Sequence, residues 1–431
     1  MPEPGEQGLL QAWKPHLKWG VVSVLAVAAV AGVTLSIHPK PSRPMAPLTV
    51  GEAAQPVPTA PSDWHGKIDY KGLDRRFDAM MTDPSMTGLA VAVVEDGRLA
   101  FVKGYGVTAT EGGKPVDSET VFRWASLSKT VSATLTARLA SERAFSLTDP
   151  LGAFNTSLRL PGDAQNTLTI EQLLSQRTGL GKNAYDQRLE DGEDPAAIRR
   201  SLATLHPVCA PATCHTYQNI AYDTVTEVIQ ARTHAPYAQT VEQRLFQPLG
   251  MVGASIGKGG LVGAKRWAQP HRLGKTLQLS EAYYRVPGAA GVNSTIVDLA
   301  LWMQAQMGLR PDVLSPSVLA DVQRPRVATL PPYGRLPIAR QLKNSGYGLG
   351  MRSFTYKGHR LVGHSGGVSG YRSTMMFDPA TRTGIVMLWN SDGNLPFRFQ
   401  AEFFDRAYGL PFQDWLELKT AGSENDPSVA S

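Results

Sequence analysis

Three short segments of the 431-residue chain hold side chains suited to acyl transfer. The first is Ser126-Leu127-Ser128-Lys129, followed by Val131, Leu135 and Leu139 at four-residue intervals. That spacing predicts a helix, and residues three apart on a helix share a face, so Ser126 and Lys129 are neighbours in its first turn. A hydroxyl is a weak nucleophile until a base takes its proton. Lysine serves as that base only as the neutral amine, which requires its pKa to fall by about 3 from ~10.4. Burial and a second cation can supply the fall. Alone, S-x-x-K is more often a capping serine beside a solvated lysine.

The second segment, Tyr217-Gln218-Asn219, changes that weighing. Residues two apart in an extended stretch point the same way, so a phenol able to pass protons and a carboxamide able to hold a substrate amide or the lysine can reach one cleft. The third is Gly363-His364-Ser365-Gly366-Gly367, with Gly370 close behind. Glycines let a backbone approach a ligand, so this predicts a strand edge that pairs with substrate and offers an N–H to an oxyanion. The same residues fit G-x-S-x-G, a nucleophile elbow on Ser365. That fold needs an Asp and then a His after the serine, and no histidine follows Ser365 in the chain.

The elements around these segments alternate between strand and helix character. Leu89-Ala-Val-Ala-Val-Val94 and Leu99-Ala-Phe-Val102 flank Glu95-Asp96-Gly97-Arg98, which predicts a hairpin. A second hairpin is expected near the C-terminus, where residues 373–377 and 385–389 flank a turn-rich stretch. Helices are expected at 170–175, 223–231, 241–246 and 295–307, the last opened by a Thr295-x-x-Asp298 capping box. The economical architecture is α+β: an antiparallel sheet built from both chain ends, flanked by helices, with a helical insertion over about 149–285 and a cleft between them.

Hydrophobic residues make up 42 % of the chain and charged residues 19 %, an ordinary globular balance. The net charge of +6 is scattered rather than gathered into a basic face interleaved with aromatics, so nucleic acid is not an expected partner. Residues 19–37 carry no charge and follow Lys14 and Lys18, which predicts a membrane anchor or an export signal after a short N-terminal segment, 1–18. Seven prolines between 38 and 64 predict a semi-rigid linker, the folded domain is expected over 65–415, and 416–431 reads as a flexible tail. The only cysteines, Cys209 and Cys214, lack the further ligands of a zinc site and are expected to form a local disulfide in an exported domain.

Taken together, Ser126-x-x-Lys129, Tyr217-x-Asn219 and His364-Ser365-Gly366 resemble the serine β-lactamase and penicillin-binding-protein superfamily. Within it the chain is similar to the class C β-lactamase-like, D,D-carboxypeptidase and esterase group. The likeness covers about residues 67 to 412 and includes Phe122-Arg-Trp-Ala-Ser-Leu-Ser-Lys129, Leu147-Thr-Asp-Pro150, Leu173-Leu-Ser-Gln-Arg-Thr-Gly-Leu180 and Tyr347-Gly-Leu-Gly350. The resemblance implies a β-lactamase/transpeptidase-like fold with Ser126 as nucleophile, proton transfer shared by Lys129 and Tyr217, and Asn219 orienting the acyl side chain. It implies an oxyanion hole from the N–H groups of Ser126 and Gly367, and substrate binding by His364, Ser365 and Gly366. One departure stands out. Efficient β-lactamases of this group carry Lys-Thr-Gly or Lys-Ser-Gly where this chain has His364-Ser365-Gly366, and a histidine of pKa ~6.5 is mostly neutral at pH 7, which weakens recognition of a substrate carboxylate.

The expected protein is thus an exported serine hydrolase that forms an acyl-enzyme and cleaves an amide or ester in a small molecule or peptide: a β-lactam, a D-amino-acid peptide or a small ester. It requires no metal or cofactor, and the sequence sets no oligomeric state. The other reading is a membrane-tethered penicillin- or peptidoglycan-binding protein without turnover.

Overall fold

Every residue of strand β1 (Gly88–Glu95) is buried, because the strand has a core on each side. Leu89, Val91 and Val93 face one core while Ala90, Ala92 and Val94 face the other, since successive strand residues point to opposite faces. The computed structural model describes residues 66–418, apart from positions 333, 335 and 336. Segments 1–18, 19–37 and 38–64, with the membrane contact expected of the second, lie outside the described residues. Among the described residues no helix is long and apolar enough to cross a membrane.

β1 turns into β2 (Arg98–Gly106) through Asp96 and Gly97, both at positive φ (51° and 82°), the two-residue hairpin geometry that an Asp-Gly pair favours. The C-terminal half supplies β3 (Val327–Ala328), β4 (Leu342–Tyr347), β5 (Arg352–Tyr356), β6 (His359–Val368), β7 (Tyr371–Asp378) and β8 (Thr383–Trp389). The sheet runs β2-β1-β8-β7-β6-β5-β4-β3, antiparallel throughout. It is therefore assembled from the two ends of the domain, as the two predicted hairpins require.

Helices α1 (Tyr70–Met80) and α5 (Leu395–Ala407) cover one face, where Leu73, Phe77 and Met80 pack with Phe399, Phe403 and Phe404. Trp415 and Leu416 are buried in the same core, so the packed chain continues past residue 415. The other face carries α2 (Ser128–Ser141) and α4 (Ile296–Gln306), together with α3 (Thr224–Thr233) from the insertion. The expected capping box opens α4: the Thr295 hydroxyl accepts from Asp298 N–H at 3.2 Å, and Asp298 Oδ2 accepts from Thr295 N–H at 3.0 Å.

α2 departs from a helix with one apolar face. Eleven of its fourteen residues are buried, among them Ser132, Thr134 and Thr136. Their hydroxyls are satisfied internally: Ser132 donates to Gly288 O (2.7 Å), Thr136 donates to Ser132 O (2.7 Å) and Thr134 accepts from Gln306 Nε2 (3.0 Å). α2 is the central helix, and Val131, Leu135 and Leu139 mark only part of what it buries. The insertion consists mainly of short helical turns, with small strands at Ser255–Ile256, His271–Arg272 and Lys275–Thr276 that sequence periodicity did not reveal.

Candidate active site

The chain enters α2 through a tightly fixed turn. Phe122–Arg123 pairs with Val292–Ser294, the Trp124 indole donates to Ser294 Oγ at 2.8 Å, and Trp124 O accepts from Ser373 Oγ at 2.5 Å. Ala125 then adopts a left-handed conformation (φ 51°) while fully buried, which the packing around it must enforce. Ser126 follows, half-buried, on the wall of a cleft of about 1290 Å³. Strand β6 runs beside this turn. A Cβ on Gly366 would lie 2.0 Å from Trp124 O and 2.9 Å from Ser126 N, so only glycine lets the strand pass so close.

Lys129, the second residue of α2 and one helical turn beyond Ser126, is fully buried, with Nζ 3.2 Å from Ser126 Oγ, 2.7 Å from Asn219 Oδ1 and 3.0 Å from Ala289 O. The last two atoms can only accept, so they take two N–H bonds. A neutral amine then has its lone pair left for the Ser126 hydroxyl, and an ammonium has its third N–H. Tyr217 brings its ring face to 4.8 Å from the same nitrogen. Among the described residues the Tyr217 hydroxyl makes no hydrogen bond to Ser126 or Lys129. Its segment is clamped by Gln176, whose carbonyl accepts from Thr216 N–H and whose Oε1 accepts from Gln218 N–H, both at 2.8 Å.

Ser126, Tyr217, His364, Ser365 and Gly367 all line the cleft, while Lys129, Asn219 and Gly366 stand behind it. Asn219 does more inside the protein than toward a substrate. It is buried, its Oδ1 meets Lys129, and its Nδ2 donates to Asp186 Oδ2 at 2.7 Å. Ser365 sits within strand β6, its hydroxyl 3.2 Å from Thr374 Oγ1. The elbow reading fails here, because that motif requires a sharp strand-to-helix turn.

His364 is buried with both nitrogens engaged. The Ser365 carbonyl, 2.7 Å from Nδ1, can only accept, so Nδ1 carries the proton and Nε2 accepts from the Tyr347 hydroxyl at 2.9 Å. Burial, reinforced by Arg352 and Lys129, pushes its pKa well below the usual histidine value. His215, also on the cleft wall, is pushed down to about 4 by burial and by Arg352. Both rings are neutral at pH 7.

Arg352 is therefore the cation that faces the cleft from the sheet. It lies beside Tyr347 in register, its guanidinium 5.3 Å from that ring, with no carboxylate of the described residues in ion-pair range. Sequence reading missed it, although Tyr347-Gly-Leu-Gly350 ends two residues earlier. It also missed Asp186, which no motif marks, and the Ala289 carbonyl, which no side-chain pattern can mark.

Cys209 and Cys214 are joined by a disulfide that closes a short loop immediately before His215, Thr216 and Tyr217. Val208, just ahead of it, and Leu330 across the cleft are both exposed on the lip and give the mouth an apolar rim.

The site thus sets a buried lysine beside a cleft serine at the start of the central helix, faced by a glycine-bearing strand of the antiparallel sheet. The Beta-lactamase family model matches residues 73–410, and the chain belongs to that family of serine hydrolases and penicillin-binding-protein relatives. Among curated proteins, an unguisins hydrolase of Aspergillus violaceofuscus is 25 % identical over 371 residues, covering 77 % of this chain and 64 % of that protein. The chain thus spans less than two thirds of that relative's length. Penicillin-binding protein 4 of Amycolatopsis lactamdurans is 24 % identical over 359 residues, covering 79 % of this chain and 90 % of the relative. Among solved structures, a class C beta-lactamase mutant superposes with TM-score 0.64 at 19 % identity, covering 79 % of this chain and 96 % of that one, a likeness of fold.

Proposed function

We propose that the protein is an acyl-transfer hydrolase in which Ser126 becomes transiently acylated. The observation that carries this reading is the approach of Lys129 Nζ to Ser126 Oγ, 3.2 Å, with the other two bonding directions of that nitrogen fixed by Asn219 and Ala289. Ser126 Oγ attacks the substrate carbonyl carbon while its proton passes to the Lys129 amine. The oxyanion so formed accepts from the N–H groups of Ser126 and Gly367. Its collapse breaks the bond to the leaving nitrogen or oxygen, which takes a proton delivered from Lys129 with Tyr217 beside it. Water then attacks the acyl ester, returning its proton along the same route and releasing the acid and free Ser126.

The substrate class is an amide or ester carrying a carboxylate, as in a β-lactam, a D-amino-acid peptide or a small carboxylated ester. With His364 neutral, Arg352 supports the carboxylate part of this reading, and the apolar rim supports a bulky apolar group at the mouth. Ser365 and Gly367 line the path between and take the substrate's polar backbone. The uncharged segment 19–37, the proline-rich stretch after it and the Cys209–Cys214 disulfide, which suits an oxidising compartment, support an extracytoplasmic location.

The test mixes the purified protein and its Ser126→Ala variant with a fluorescent penicillin and with a chromogenic ester. The parent is expected to label and to turn over repeatedly, and Ser126→Ala to do neither. Unchanged turnover in that variant overturns the mechanism, and lasting label without product marks a binder rather than a hydrolase.

A further inference from the structure

We propose that Asp186 is a positioning residue for proton transfer: through Asn219 it fixes which carboxamide atom faces Lys129, and its charge balances the ammonium formed there. This rests on the role given to Lys129 above.

A carboxamide is nearly symmetric in shape, so Asn219 could present either Oδ1 or Nδ2 to the lysine. Only Oδ1 accepts. With Nδ2 toward Lys129, two donors would face each other in a buried site and one bond that orients the amine would be lost. The far end of Asn219 decides between the two. An ionised carboxylate is an acceptor only, so the 2.7 Å contact with Asp186 Oδ2 holds Nδ2 away from Lys129 and turns Oδ1 toward it. The Tyr283 hydroxyl donates to the same Asp186 oxygen at 3.1 Å and so holds the carboxylate in turn. The sequence Tyr283, Asp186, Asn219, Lys129, Ser126 is one continuous chain of hydrogen bonds ending on the nucleophile.

The electrostatics run the same way. Asp186 is buried and its Oδ1 has no hydrogen-bond partner among the described residues, an expense of burial without full satisfaction that a purely structural tie does not need. Burial raises its pKa, while Asn219, Tyr283 and the charge of Lys129 favour the ionised form and Glu190 opposes it. When Lys129 takes the Ser126 proton, the new positive charge has this carboxylate one residue away through Asn219. The logic is that of an aspartate orienting a catalytic histidine, carried out here on a lysine through an amide.

Asp186→Ala removes both the anchor and the charge. Asp186→Asn keeps the size, and its own carbonyl can still accept from Asn219 and Tyr283, but the charge is gone. The readout is the labelling rate of Ser126 at saturating fluorescent penicillin or ester, per active site counted from the final labelling stoichiometry, measured from pH 5 to 9. The expected result for Asp186→Ala is a limiting rate lower by roughly 10- to 100-fold with little change in the half-saturating concentration. Asp186→Asn is expected to recover most of that rate while its acid limb moves to lower pH by roughly half a unit or more, because loss of the negative charge favours the neutral amine. An unmoved acid limb in Asp186→Asn, or an unchanged per-site rate in Asp186→Ala, overturns the proposal. Should Asp186→Ala not fold, the acid limb of Asp186→Asn decides alone. Labelling that persists in Ser126→Ala removes the underlying reading, whereas silent Ser126→Ala with unaltered Asp186 variants removes this proposal only.

Discussion

Replacing Gly366 by alanine adds one methyl group where β6 passes the turn that carries Ser126. The new Cβ would lie 2.0 Å from Trp124 O, 2.5 Å from Ser373 Oγ and 2.9 Å from Ser126 N. Ordinary non-bonded contact begins near ~3.5 Å, so strand and turn must separate by ~1 Å or more. Trp124 is anchored by Val292, Ser294 and Ser373, which leaves β6 to move. β6 carries the Gly367 N–H, and a hydrogen bond of ~2.9 Å is largely lost beyond ~3.5 Å. Loss of one oxyanion donor costs ~10²–10³ in kcat. The next residue provides the control. The nearest atoms to a Cβ on Gly367 belong to the Arg372 side chain, none closer than 3.1 Å, so the tethered guanidinium need give by only a few tenths of an ångström. Gly367→Ala keeps its N–H and is expected to lose less than ~10-fold. The assay is the turnover rate of both variants on one substrate, with thermal unfolding to show that each is folded. A Gly366→Ala enzyme within threefold of the parent, or two variants equally impaired, refutes the geometry of the oxyanion hole given above.

Arg352→Ala is expected to lower kcat/KM by roughly 10- to 100-fold for a substrate with a free carboxylate and by far less for its methyl ester, since a charge-assisted hydrogen bond contributes ~1.5–3 kcal/mol; equal losses on the two substrates would deny Arg352 that contact. Asp223 holds the turn that carries the Ala289 carbonyl, accepting from Gly288 N–H at 2.7 Å, and burial pushes its carboxyl up to about 7 against the pull of Arg199. A carboxyl raised in the folded state stabilises it fully below the unfolded value, ~3.9, and that contribution is lost as pH rises through about 7. Thermal unfolding from pH 4 to 8 should therefore show Asp223→Asn gaining on the parent across that interval, and a constant difference between the two would contradict the assignment.

The legible parts of the molecule were those governed by local rules. Asp96-Gly97 announced its hairpin because two consecutive positive φ angles admit few residues, and Thr295-x-x-Asp298 announced its helix because the capping box is complete within four residues. The pair Ser126 and Lys129 was legible for the same reason, since helical geometry fixes neighbours three apart. Legibility failed where partners come from distant segments. Asp186 reaches Asn219 across 33 residues and the Ala289 carbonyl reaches Lys129 across 160, and neither spacing carries a periodic signal. The Val131, Leu135 and Leu139 spacing marks α2 as a helix but not how much of it is buried, because the Ser132 and Thr136 hydroxyls donate to carbonyls inside the core.

By itself, then, the sequence determined the inventory and its local geometry: a serine and a lysine on one helical turn, a tyrosine and an asparagine two apart, a run of glycines in strand context, and a sheet drawn from both ends. The tertiary structure alone decided which groups face the cleft and in what state. It held His364 neutral by burial beside Arg352 and Lys129, brought Arg352 to the wall, turned Asn219 inward to Lys129 and set Asp186 behind it. The physical reason is range: backbone periodicity acts over a few residues, whereas desolvation and charge act through space and depend on every segment packed around the site.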